Sequence, residues 1–168
     1  MKSTLTTLIL ILFFLINLPQ AKAQQTPEDI LTKANEYFLQ GDFQNAIIFF
    51  TDFLKSYPQH FAALDNRGLS YLALKDYGRA IDDFSSAIRV NKSSSMSYVY
   101  RALAYQGKNN LPSAKKDYED AMFYDVSNLE AYYGLNMLYV GNKEYERSLK
   151  LLEKATALDP KSSRSDFL

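Results

Sequence analysis

Residues 73–88 read ALKDYGRAIDDFSSAI. Thirty-four residues earlier the chain reads LQGDFQNAIIFFTDFL, over 39–54. Thirty-four residues later it reads GKNNLPSAKKDYEDAM, over 107–122, and a further step gives GNKEYERSLKLLEKAT, over 141–156. In each stretch a polar turn leads into apolar and small residues at helical spacing. A period held four times without insertion divides the chain into units 27–60, 61–94, 95–128 and 129–162.

Each unit shows two helical runs. The first helices are expected at 27–40, 61–74, 95–107 and 129–141, and the second at 44–57, 77–90, 111–124 and 144–158. Thr26-Pro27-Glu28-Asp29 is a strong start for the first of them. Thr26 can cap, Pro27 suits the first helical position, and two acids favour the N-terminal end of the dipole. Small residues recur as Ala34, Gly68 and Ala102 in the first helices and as Ala46, Ala80 and Ala114 in the second. Aromatic and large residues recur opposite them: Tyr37, Tyr71, Tyr105 and Tyr139, then Phe50, Phe84, Tyr118 and Leu152. Small against large across a helix pair lets the two interdigitate. Pro58 and Pro160 are placed to close the second helices of units one and four.

This pattern resembles the tetratricopeptide repeat family over 27–162. The resemblance implies an all-α, right-handed superhelical solenoid of four antiparallel helix pairs with a concave inner face. Unit four departs from the family pattern, with Asn136 and Ser148 where small apolar residues are usual. Ile30, Leu64, Tyr98 and Tyr132 stand where the family often has Trp.

The first 23 residues differ in kind. Lys2 is followed by a run from Leu5 to Leu18, apolar apart from Thr6, Thr7 and Asn17, and then by Pro19 and Ala21-Lys22-Ala23. A basic start, an apolar middle and a small-x-small end are the marks of a secretory signal, here cut after Ala23. The run of 14 residues is short of the roughly 20 a spanning helix needs. The expected location is therefore the periplasm of a Gram-negative bacterium or the exterior, with no stable membrane span after cleavage. Residues 163–168, SRSDFL, form a short tail.

Composition narrows the function. Nineteen basic and 19 acidic residues balance to zero, so there is no basic face to suggest nucleic acid. The chain has no Cys and one His, which removes disulfides, a thiol nucleophile and a paired-histidine metal site. His60 reads as an exposed turn residue, and no glycine-rich phosphate loop is present. Asp82 and Asp83 are adjacent on a helix, so they point apart and form no shared site. Arg67 with Asp83 and Arg101 with Asp117 recur at a spacing of 16. The end units replace both members together, with Lys33 and Phe49 or Leu135 and Leu151. Joint replacement predicts a salt bridge between helices. No catalytic residue, cofactor or metal is expected, and the chain reads as a non-enzymatic module.

The family resemblance implies that the first helices line the groove. Carried onto this chain, the groove positions are Leu31, Asn35 and Phe38, then Asn66, Leu69 and Leu72, then Val99, Tyr100 and Leu103, then Tyr133 and Met137. Glu28, Asp65, Met96, Gln106, Glu130 and Val140 share that layer. One subgroup of the family captures C-terminal carboxylates with two Asn and three cations. Asn35 and Asn66 match the asparagines, while Leu31, Met96 and Tyr100 occupy the cation places. Carboxylate capture is therefore not expected, because a buried carboxylate would find no positive partner. The expected partner is an apolar protein segment or peptide with a basic flank. Two alternatives stand beside it, the first resting on the C-terminal end, where Leu149, Leu151, Leu152 and Leu158 have no capping helix beyond them in the sequence. One is a structural homo-oligomer joined through that end. The other is an envelope assembly factor that holds apolar client segments.

Overall fold

The structure, a computed structural model, describes residues 25–158. Eight α-helices and no strand occur among them: α1 (Pro27–Leu39), α2 (Phe43–Ser56), α3 (Phe61–Ala73), α4 (Tyr77–Val90), α5 (Ser95–Gly107), α6 (Leu111–Tyr124), α7 (Leu129–Gly141) and α8 (Tyr145–Leu158). The boundaries fall within two residues of those expected from the repeat. The signal segment, Pro160 and the tail lie outside the described residues.

Each unit turns from its first helix to its second through one residue with left-handed backbone. These are Gly41 (φ 75°), Lys75 (φ 61°), Asn109 (φ 57°) and Lys143 (φ 61°), again 34 residues apart. The next residue, Asp42, Asp76, Asn110 or Glu144, donates its N–H back to the carbonyl of Tyr37, Tyr71, Tyr105 or Tyr139 at 2.8–2.9 Å. That bond satisfies a carbonyl that the helix end would otherwise leave open. In three units the same residue then caps the second helix: the side chains of Asp42, Asp76 and Asn110 accept from the N–H of Asn45, Arg79 and Ser113. One residue thus closes one helix with its backbone N–H and opens the next with its side chain. His60 corrects a sequence expectation. It is half-buried rather than exposed: its Nδ1 accepts from Ala63 N at 3.2 Å, and its ring stands edge-on to Phe53 at 5.0 Å.

Helices within a unit pack against each other, and each second helix packs against the first helix of the next unit. First helices also touch one another across units, while second helices do not. The layer of first helices is therefore the tighter one, and it forms the inner face of the stack. Between the layers, Ala34, Ala46, Phe50, Ala80, Phe84, Ala102, Ala114 and Tyr118 are fully buried. A Cβ added to Gly68 would lie 2.7 Å from the Phe84 ring, so at that crossing only glycine leaves room for the aromatic. The departures in unit four answer each other: Ser148 Oγ donates to Asn136 Oδ1 at 2.6 Å. Two polar groups in a buried seam are tolerated when they pair.

The predicted salt bridges form. Arg67 donates to both carboxylate oxygens of Asp83 at 2.7 Å, and Arg101 to those of Asp117 at 2.7 and 2.8 Å. The third donor of each guanidinium reaches back one unit, Arg67 to Thr51 Oγ1 and Arg101 to Ser85 Oγ, both at 3.1 Å. Each arginine therefore ties three helices: its own, the second helix of its unit and the second helix of the unit before. Unit four fills the same places with Leu135 and Leu151, 2 % and 8 % exposed. Removing one charge of a buried pair strands the other, at a cost of about 3–5 kcal/mol, whereas an apolar pair of similar volume is close to neutral. Arg101→Leu should therefore lower stability by that order. Arg101→Leu with Asp117→Leu, which copies unit four, should recover most of it in urea unfolding.

Candidate functional site

The inner layer is made by α1, α3, α5 and α7. Helical spacing places one row of side chains along it at 35, 69, 103 and 137, and a second at 38, 72, 106 and 140. In the first row Asn35 and Leu69 are half-buried, Leu103 is 41 % exposed and Met137 is 66 % exposed. In the second, Phe38 and Leu72 are half-buried and Val140 is 43 % exposed. The apolar surface thus becomes more accessible from α3 to α7. It is not evenly available along the groove.

Several positions expected to face a ligand are committed to the core. Val99 is 3 % exposed and lies in the cluster with Tyr98, Ala102 and Tyr132, so it offers a ligand almost no area. Phe38 stands edge-on to Phe43 and Phe50 at 6.0 and 6.4 Å, and Leu31 packs on the same cluster. Tyr100 lies 5.7 Å from the Phe84 ring and, with Leu69 and Leu72, borders the central cluster. Gln106 accepts from the Tyr118 hydroxyl at 2.5 Å. Tyr133 is half-buried on α7. The two asparagines meet each other, Asn66 Nδ2 donating to Asn35 Oδ1 at 3.3 Å, so a peptide amide would have to displace or share that bond.

The electrostatics of this face centre on Asp65, which the sequence places in the layer with Glu28 and Glu130 as an acid favouring a basic flank on the ligand. Ser97 Oγ lies 3.0 Å from both of its carboxylate oxygens. An ionised carboxylate only accepts, so Ser97 donates to Asp65, and Ser94 Oγ, 2.9 Å away, donates to Ser97. Burial pushes the Asp65 carboxyl up to about 6, against the opposing hydrogen bond from Ser97. Burial, with the negative charges of Asp65 and Glu130, also pushes the Tyr100 phenol up. The central groove therefore carries negative potential. No sequence signal marks Asp65 apart from its neighbours; its burial comes from the packing of α3 on α5.

Asp65 has an ordinary value of 3.8 and titrates at about 6 when folded. Between those values the folded state holds more protons than the unfolded state. This group's contribution to stability therefore falls as pH rises through that window, by an amount on the order of 3 kcal/mol once both states are ionised. Asp65→Asn removes that penalty. Its unfolding midpoint relative to wild type should rise between pH 4 and pH 7, and thermal unfolding at the two values reads the difference.

Known proteins share this architecture. Residues 31–95 and 101–163 match the tetratricopeptide repeat. RNA polymerase II-associated protein 3 of Xenopus tropicalis is 32 % identical over 129 residues, 77 % of this chain and 19 % of its own length. Serine/threonine-protein phosphatase 5 of Homo sapiens is 30 % identical over 134 residues, 78 % of this chain and 27 % of its own length. The chain thus spans less than a third of these relatives. Among solved structures, MamA superposes with a TM-score of 0.78 at 21 % identity, covering 82 % of this chain and 80 % of that one, which is a likeness of fold. The first repeat domain of Spaghetti (RPAP3), bound to the HSP90 peptide SRMEEVD, superposes with a TM-score of 0.66 at 29 % identity, covering 71 % and 94 %. With the period, the helix pairs and the buried small-against-aromatic seam all in place, the chain belongs to the tetratricopeptide repeat family.

Proposed function

We propose that this chain is a non-enzymatic interaction module that holds an apolar segment of a partner protein along its inner face. One observation carries the reading: Leu69, Leu103 and Met137 recur every 34 residues on successive inner helices, and the last two are 41 % and 66 % exposed. A continuous apolar row left wet on a concave surface is the kind of patch that marks interaction sites. The relative bound to the HSP90 peptide SRMEEVD supports the use of this architecture for peptides. The ligand chemistry differs, because Leu31, Met96 and Tyr100 supply no cation and Asp65 supplies a negative charge. An acidic tail is disfavoured and an apolar segment with a basic flank is favoured. Among the described residues, no group of His, Asp and Glu side chains could hold a metal ion.

The module acts outside the cytoplasm in this reading, on the strength of Lys2, the apolar run Leu5–Leu18 and the Ala21-Lys22-Ala23 end. A second reading is self-assembly, favoured by α8, where Leu149 and Leu158 are 62 % and 42 % exposed. One experiment separates the two: a crosslinked pull-down of the tagged protein from its own cell envelope, beside Leu69→Glu with Leu103→Glu. A distinct partner captured by wild type and reduced at least tenfold in the double variant is expected, with the recovered chain beginning at Gln24. Recovery of the chain's own copies alone, equally by both proteins, would replace groove binding with assembly through α8.

A further inference from the structure

Asp65 is an inner-face charge that the fold does not pair with a cation. The buried acids of the outer seam are neutralised in place: Asp83 is held by Arg67 and Asp117 by Arg101. Among the described residues, Asp65 has no basic side chain within ion-pair distance. Lys33 lies over the Phe49 ring, and both nearby arginines are committed to their own partners. What faces Asp65 is the Ser97 hydroxyl and, through its charge, the Tyr100 phenol. A single hydroxyl donates one hydrogen bond, and a carboxylate can accept about four. Asp65 is half-buried rather than sealed, and the Ser97 hydroxyl fills one of its acceptor positions.

We propose that Asp65 is the cation-recognition point of the groove, receiving a lysine or arginine side chain of the bound apolar segment. The proposal rests on the groove reading above and adds the partner's chemistry to it. Charge complementarity carries it: Glu28 and Glu130 flank the same layer, so a cation entering the centre meets negative charge along the groove. The ligand's aliphatic stem would lie along the half-buried Leu69 while its head reaches the carboxylate, as long basic side chains commonly do on apolar surfaces. A carboxylate at the ligand would instead meet Asp65 with no cation between them.

The test uses the full chain and three fluorescein-labelled pools of capped nonapeptides. All are built from Leu, Met, Phe and Ser, and the fifth residue is Lys, Met or Glu. Wild type should bind the Lys pool about tenfold more tightly than the Met pool, the discrimination expected of one charge-assisted hydrogen bond, and the Glu pool least. In Asp65→Asn the Lys and Met pools should become equal within about twofold, and a wild-type helical circular dichroism spectrum reports that the solenoid is folded. Ser97→Ala keeps the carboxylate and should keep the Lys preference. Equal binding of Lys and Met pools by wild type, or the same Lys preference in Asp65→Asn, would overturn the assignment of Asp65 and leave the groove reading standing. Failure of wild type to bind any pool would overturn the groove reading itself.

Discussion

Everything in this solenoid depends on how closely the two helices of a unit can approach. Phe50, Phe84 and Tyr118 each need a space on the facing helix large enough for a ring. Gly68 shows the demand within a unit, since even one methyl group there would overlap Phe84. Tyr118 makes a similar demand of Gly134, where an added Cβ would fall 2.2 Å from the ring. Interiors at this density do not absorb such overlap without shifting backbone. Because the second helix of one unit also packs on the first helix of the next, the same spacing passes down the stack. The left-handed residue at the end of each first helix returns the chain at the required angle every time.

Charge has two distinct placements in the structure. Arg67 and Arg101 are bidentate to their carboxylates and reach one unit back to a hydroxyl, so they serve as ties between neighbouring repeats. The leucine pair in unit four shows that the tie is replaceable by packing. Asp65 belongs to the other class. It faces the inner layer with only a serine to share its charge, and the packing pushes its ionisation toward neutral pH. The fold thus neutralises its outer acids with arginine and leaves this inner one without a cation.

That division also explains why similarity of architecture does not transfer ligand chemistry. The repeat keeps the seam, because the seam is what stacks. The inner row is free to vary, and here it varies to leucine, methionine and a carboxylate in place of cations. A peptide ending in acids and a segment carrying a lysine could use the same helices with opposite electrostatics.

Much of the fold is legible in the amino-acid sequence alone. The 34-residue period, the helix pairs, the small-against-aromatic seam and the Arg–Asp ties are local or strictly repeated, and repetition exposes them. The left-handed positions repeat just as strictly without one common residue, because a glycine at 41, an asparagine at 109 and lysines at 75 and 143 are united only by their backbone sign. The groove is legible as a face and not as a surface. Helical spacing puts Val99 and Met137 on the same layer, but packing buries one and leaves the other 66 % exposed. His60 becomes a cap only because Ala63 N sits within reach and Phe53 stands beside it. Sequence spacing sets the direction in which a side chain leaves its helix. How much water reaches it, and whether its charge finds a partner, depends on neighbours 30 or more residues away, as with Ser97 for Asp65, and those are brought together only by stacking.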